Sequence, residues 1–256
     1  MSSQTNGTSS SSEDNGKKSI AIITMSTRTP RVGPNVAAFV KSTIESHYPD
    51  QTLLKDKISL STVDLAEYNL PVYDEQYVIP AMITGPDAPV QFAHEASRAW
   101  SAEVRRHDGY VLVIPEYNYG MAGGTKNAVD YLVHEWKGKP VCVVSYGVQG
   151  GKLASEQLTA VLAGVGLKVV GTRPKLAFVK TEEEMEVERK AGRHVPGKDT
   201  LSAGMKGELG EATKEVWGRE GGEERGGVVR GFGEVVKGVL GLEGGEKEKE
   251  NGVKGE

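Results

Sequence analysis

Short runs of β-branched residues alternate with helix-length stretches from residue 19 to about residue 170, and this alternation constrains the fold more than any other feature. Runs such as Ile20-Ala21-Ile22-Ile23 and Val141-Cys142-Val143-Val144 have no polar face, the pattern of strands buried on both sides. Strands are expected at 19–24, 58–64, 110–114, 141–145 and 168–170, with helices at 34–47, 90–106, 125–135 and 152–163 between them. Pro34 opens the first helix, where its missing N–H leaves no bond unmade. The pattern predicts an α/β fold, a five-stranded parallel sheet with helices on both faces. Right-handed crossovers restrict the strand order and place ligands outside the carboxyl ends of the strands, where that order reverses. The loops after strands one, three and four are therefore where function should be sought.

At 256 residues and 38% hydrophobic content the chain can bury one good core. The core domain is expected at 18–180. Residues 1–17 form a Ser-rich leader too polar to offset the entropy of ordering, and are expected to be disordered. Residues 181–256 are rich in Glu, Lys and Gly and read as a charged tail, mostly disordered, with short helices near 211–217 and 228–240. Arg225-Gly226-Gly227 and Arg230-Gly231-Phe232 look like RNA-binding Arg-Gly repeats, but two copies among so many glutamates weigh against that use. Lys and Arg total 31 against 35 Asp and Glu, so no global field attracts a polyanion, and no nucleic-acid partner is expected. No stretch approaches the roughly 20 apolar residues of a membrane span, and the first residues contain no apolar run of a secretory signal. The single cysteine, Cys142, can form no internal disulfide and reads as a buried apolar thiol. Together these features predict a cytoplasmic protein with no membrane partner.

The loop after strand one reads Met25-Ser26-Thr27-Arg28-Thr29-Pro30-Arg31-Val32-Gly33 and runs straight into a helix. Hydroxyls, amides and two guanidinium groups at a helix N-terminus suit a phosphate monoester, although a polar turn that only caps the helix has the same composition. No Gly-Lys-Ser/Thr and no GxGxxG follows, so a mononucleotide fits better than a nucleoside triphosphate or a dinucleotide. The loop after strand three, Pro115-Glu116-Tyr117-Asn118-Tyr119-Gly120-Met121, pairs aromatic faces with exposed amides, as a flat heteroaromatic ring requires. A glycine-loosened turn is the plainer alternative. After strand four comes Ser145-Tyr146-Gly147-Val148-Gln149-Gly150-Gly151, where glycine lets the backbone approach a ligand.

These three motifs, with Lys126-Asn127-Ala128-Val129-Asp130 and His134-Glu135-Trp136, resemble the NAD(P)H-dependent FMN reductases, most nearly the yeast-type quinone reductases. The resemblance spans about 18–179. It implies a flavodoxin-like fold with strand order 2-1-3-4-5, a homodimer, and one noncovalent FMN per subunit. Carried across, Ser26, Thr27, Arg28 and Arg31 would hold the phosphate. Pro115, Glu116, Tyr117, Asn118, Tyr119 and Gly120 would line the isoalloxazine ring, and Ser145, Tyr146 and Gly147 would meet its edge. The loop at 66–89 would wall the substrate side. Met25 departs from the glycine that many relatives carry, and a side chain there would be expected to shift the loop.

The implied activity is hydride transfer from NADPH or NADH through FMN to quinones, flavins or azo compounds by a ping-pong scheme, with no catalytic acid, base or nucleophile because the chemistry resides in the flavin. A redox-sensing module with slow turnover, using the charged tail as its contact, would need the same residues. The five histidines lie far apart with no carboxylate or cysteine at ligand spacing, so no metal is expected.

Overall fold

The computed structural model describes residues 16–48, 56–75, 78–85, 87–193 and 195–242. The Ser-rich leader up to residue 15 and the last residues from 243 lie outside them. The strands are β1 (Lys18–Thr24), β2 (Ile58–Asp64), β3 (Gly109–Tyr117), β4 (Gly120–Met121), β5 (Pro140–Gly147), β6 (Lys168–Val169) and β7 (Lys175–Ala177). The helices are α1 (Gly33–His47), α2 (Glu95–Arg105), α3 (Gly123–Asp130), α4 (Lys152–Val165), α5 (Glu182–Ala191), α6 (Lys198–Met205), α7 (Glu211–Gly218) and α8 (Glu223–Val239).

The main sheet runs β2-β1-β3-β5-β6, all parallel, which is the expected flavodoxin-like order. The strand count differs, because two short pieces bring the sheet to seven strands. Strand β4 folds back antiparallel on β3, and β7 continues alongside β5 past the end of β6. Both are too short to show a strand period in sequence. The second helix also starts later than expected. Only Glu95 begins the α-helix, and the buried Glu75 carboxylate accepts from the Ala93 and His94 amides at its entry, at 2.7 and 3.4 Å.

Alternation along the strands divides the core in two. Ala21, Ile23, Leu112, Ile114 and Val143 face α2, α3 and α4, where Trp100, Tyr110 and Trp136 pack edge to face. Ile20, Ile22, Val111, Val113 and Val144 face α1, α7 and α8. The expected end of the core near residue 180 is thus corrected. The tail contributes four helices, and the last two supply buried Trp217, Val228, Phe232, Val235 and Val236 to the second face. Burying each such side chain contributes about 1.5–3 kcal/mol.

Glycine lets α8 lie close to the sheet. A Cβ at Gly231 would stand 2.6 Å from Cys142 Sγ and 3.1 Å from the Thr172 carbonyl, while the bare Gly109 of β3 receives Val235 and Val239. The Glu234 carboxylate accepts from the Thr172 amide at 3.1 Å and from its hydroxyl. Arg225 and Arg230, seen in sequence as Arg-Gly repeats, lie on this helix, where Arg225 donates to Ser46 and Gly218 and Arg230 pairs with Glu223. Gly231→Val should therefore lower stability by about 1–3 kcal/mol through overpacking, whereas Gly164→Ala, at a helical site with open space around it, should be neutral or stabilising. Thermal melts of both variants check this, and equal melting points would argue against the docking of α8.

At the amino edge of the sheet, the buried His107 imidazole sits between the Ser19 hydroxyl (2.7 Å from Nδ1) and Glu103 Oε1 (3.0 Å from Nε2). A neutral ring satisfies both contacts, with Nε2–H donating to the carboxylate and Nδ1 accepting from Ser19. Burial holds His107 below its ordinary value, with Glu103 pulling it up and Arg106 and Lys139 pushing it down. The unfolded chain takes up a proton near pH 6.5 that the folded chain refuses, so this contribution to stability is present above that pH and lost below it. The melting temperature should fall between pH 7 and 5, and His107→Gln should flatten that slope. An unchanged slope in the variant would show that the ring is not held neutral.

Candidate active site

The crevice forms where β1, β3 and β5 end side by side. Strand β1 stays in register one residue past its end, the Met25 amide donating to Val113 at 2.9 Å. The period of two then sends Met25 fully into the helix-side core and leaves Ser26 on the opposite side. The Met25 side chain is thus in the core and does not line the crevice. The Thr125 hydroxyl at the start of α3 donates to the Met25 carbonyl at 3.1 Å and fixes the turn.

Ser26 is buried beside Gly33, where any side chain would collide with its hydroxyl at 2.1 Å and would meet the Tyr146 hydroxyl at 3.0 Å. Ser26 Oγ makes no hydrogen bond of good geometry within the chain, but it lies against the Tyr146 hydroxyl, a contact that, against the raising effect of burial, pulls that phenol down. The Arg31 guanidinium donates through Nη2 to Asp64 at 2.6 Å, which anchors it to the end of β2, while its buried Nη1 has no acceptor. Exposed Arg28 stacks over the Tyr117 ring at 5.7 Å and donates to the Gly204 carbonyl at 2.8 Å. An unpartnered hydroxyl and an unused guanidinium nitrogen in one loop form a donor set matched to a phosphate oxygen. Thr27 turns to the far side against Gly124 and lines a separate cleft with Leu65, Leu70 and Asn127.

All three loops line one cavity of about 170 Å³, through Arg28, Pro115, Tyr117, Tyr146 and Gly147. A second cavity of about 480 Å³ adjoins it through Glu116 and Val148 and continues to Asn118, Tyr119 and Gln149. Asn118 and Tyr119 both have positive φ, 48° and 63°, as the tight turn between β3 and β4 demands, and Tyr119 stands 75% exposed. Burial raises the Tyr117 phenol, against the pull of Arg28 and Arg31, and burial likewise raises Tyr146. Both therefore remain hydrogen-bond donors at neutral pH.

Two of the residues expected to touch a ligand are already engaged within the chain. Glu116 Oε2 accepts from the Leu153 and Ala154 amides at 2.9 and 3.2 Å, at the N-terminus of α4. Ser145 is fully buried, its hydroxyl donating to Gly150 at 2.7 Å, so it shapes the turn and presents nothing to the crevice. That turn needs glycine at 150 and 151, with φ of 72° and 71° and carbonyl or amide atoms within 3.1 Å of any Cβ. Val32, Phe178, Thr200, Ala203 and Gly204 also line the cavity, and the last three come from α6. No periodic apolar pattern marks that helix in sequence. A separate groove of about 740 Å³ between α1 and α7 includes none of the three loops.

An open α/β sheet with three loops gathered at its carboxyl edge, one rich in phosphate donors and one in aromatic faces, defines a mononucleotide-binding protein of the doubly wound class. The family model for NADPH-dependent FMN reductases matches residues 19–179, and the chain belongs to that family. It is 42% identical over 206 residues to the NAD(P)H-dependent FMN reductase ntnL of Nectria sp, covering 80% of this chain and 90% of that protein, so that match takes in part of the C-terminal helices. It is also 42% identical to the NAD(P)H-dependent FMN reductase LOT6 of Saccharomyces cerevisiae over 153 residues, which are 59% of this chain and 77% of the other. Among solved structures, the flavoenzyme NAD(P)H:(acceptor) oxidoreductase FerB of Paracoccus denitrificans shares the fold, with a TM-score of 0.51 at 19% identity over 86% of this chain and 98% of that one. Glu116→Ala should cost about 1–2 kcal/mol of unfolding free energy by stripping the α4 N-terminus, while Tyr119→Ala should change it by less than about 0.5 kcal/mol. Denaturant titration of both variants decides whether Glu116 is structural.

Proposed function

We propose that this chain binds one FMN at the carboxyl edge of its sheet and carries electrons from NADPH or NADH to quinones or similar flat acceptors. The observation that carries this reading is the pair of buried donors without well-formed hydrogen bonds, Ser26 Oγ and Arg31 Nη1, in the loop whose Arg28 and Val32 line a cavity shared by all three strand ends. Leaving such groups unpaired costs about 1–3 kcal/mol each, a cost that an anionic oxygen removes. The fit divides by size. The 170 Å³ space has room for a phosphate but not for a whole nucleotide, since pockets for ligands of that size run to roughly 300–1,000 Å³. The adjoining 480 Å³ space beside Asn118 and Tyr119 then takes the ring.

FMN held there would supply two-electron hydride chemistry between the nicotinamide donor and the acceptor, in a ping-pong scheme. The chain's own residues bind and orient. Arg28, Arg31 and Ser26 would hold the phosphate, while Thr27 faces the separate cleft beside Gly124. The 147–151 turn, whose Val148 and Gln149 line the larger space, would border the ring edge, where negative charge would develop on reduction. The exposed Tyr119 offers a face against which donor and acceptor alternately stack.

The wall on the substrate side is the segment after β2. The Asn127 side chain holds it, accepting from the Tyr73 amide at 2.9 Å and donating to the Pro71 carbonyl at 2.6 Å. This segment displays Val72, Ile79, Met82 and Val90 to solvent, and we assign that apolar face to the contact of a homodimer. No described helix is long and apolar enough to cross a membrane. A cytoplasmic location is part of the same reading, supported by the lone cysteine kept buried as a thiol.

The purified chain should be yellow, bleach on anaerobic addition of NADPH, and regain its colour when a quinone is added. Arg28→Ala should weaken FMN binding by about ten- to a hundredfold, through loss of a charge-assisted contact. A colourless protein that cannot be reconstituted with FMN would end the flavin reading. Colour with negligible NADPH turnover would favour a redox-sensing module.

A further inference from the structure

Helix α6 comes from beyond the segment that the family model matches, yet it is seated on the phosphate loop. Arg28 Nη2 donates to the Gly204 carbonyl at 2.8 Å, in the last turn of α6, and Asn35 Nδ2 donates to the Gly207 carbonyl at 2.7 Å. Gly207 has a φ of 77°, and a Cβ there would stand 2.7 Å from the Arg31 carbonyl, so only glycine lets this turn lie against the loop backbone. Asp199 fixes the other side of α6, its carboxylate accepting from the Thr213 amide at 2.7 Å.

Thr200, Ala203 and Gly204 share one face of α6 by their spacing of three and four, and all three line the 170 Å³ cavity with Arg28 and Tyr146. Two of them are small, which brings the helix close. The third carries a hydroxyl whose oxygen is buried and without a hydrogen-bond partner. Threonine in a helix ordinarily satisfies its hydroxyl on a backbone carbonyl one turn back or in water. Thr200 does neither, and it borders the same space as the loop that carries the unpartnered donors of Ser26 and Arg31.

We propose that α6 is the fourth wall of the flavin site, and that Thr200 is a specificity-determining residue whose hydroxyl donates to the phosphate monoester of the nucleotide. This rests on the FMN reading above. The size of the cavity and its arginine select the phosphate end, because the ring requires the larger adjoining space. The C-terminal segment thereby discriminates FMN from riboflavin.

The test uses the full-length chain stripped of flavin and titrated with FMN and with riboflavin, following the quenching of flavin fluorescence, for wild type, Thr200→Val and Thr200→Ser. Thr200→Val should weaken FMN binding by about ten- to a hundredfold, the worth of a hydrogen bond to a charged group. It should leave riboflavin binding unchanged, and Thr200→Ser should keep the FMN affinity. Thr200→Ala replaces the valine variant if that one melts below the assay temperature. Unchanged FMN affinity in Thr200→Val, or an equal loss for riboflavin, overturns the assignment while the flavin reading stands. A wild-type chain that binds no FMN overturns both.

Discussion

A parallel sheet whose strands are apolar on both sides must be covered on both sides, and this requirement organises the rest of the chain. Strand β5 is buried along its whole length, so neither of its faces can be left to water. Helices α2, α3 and α4 cover one face. On the other, α1 covers only one flank, and α7 and α8 complete it with Trp217, Phe232 and Val235. The chain between β7 and α8 must therefore travel back across the molecule, and its route passes the carboxyl edge of the sheet. The helices there follow from core burial before any ligand is considered.

The same alternation that buries the sheet also makes the site polar. Extending β1 by one residue places Met25 in the core, and the next residue, Ser26, must then face the opposite way, under Gly33 and beside Tyr146. The loop is fixed by contacts from two neighbours, Thr125 from α3 and Asp64 from β2, and just beyond it Asn35 of α1 donates to the turn after α6. Each anchor uses some of the loop's hydrogen-bonding capacity, and what remains unused is Ser26 Oγ and Arg31 Nη1. A buried guanidinium nitrogen without an acceptor is expensive, and the fold maintains it because contacts elsewhere over-determine the loop. Preorganised donors of this kind bind an anion with little rearrangement.

The sheet and its ligand-facing edge were legible in sequence because both rest on strong local signals. Buried strands need unbroken apolar runs, and strand-to-helix turns need hydroxyls and glycine. The roles of individual residues were less legible. Glu116 and Ser145 carry the right chemistry for a ligand, but each meets a partner distant in sequence or bound within its own turn, at Leu153 and at Gly150. Composition misled most in the C-terminal third. Glycine and charge there imitate a mobile tail, yet Gly231 is glycine because Cys142 lies 2.6 Å from where its Cβ would be. Close packing and disorder favour the same residue for opposite reasons, and only the partner surface separates them. The helix signal of α8 survives as Val228, Phe232, Val235 and Val236 at spacings of three and four, diluted by the glycines between.

Covering the second face and closing the phosphate loop are tasks of one continuous segment, and this couples the ligand to the fold. Asp199 links α6 to the start of α7, and Trp217 at the end of α7 donates to the Ala177 carbonyl of β7 at 2.8 Å, so α6 is held through helices that are themselves part of the core. A ligand that bound Arg28 and the face of α6 would strengthen the attachment of the whole segment, because it binds the docked arrangement more tightly than the undocked one. The stabilisation is set by the ratio of the two affinities, so the ten- to hundredfold contribution of the α6 contact corresponds to about 1.4–2.7 kcal/mol. That is comparable to what one buried aromatic side chain of α7 or α8 contributes. In a fold assembled this way, a nucleotide bound against α6 would act on the second core as one more buried group, and its retention would depend in turn on how firmly the last helix packs against the sheet.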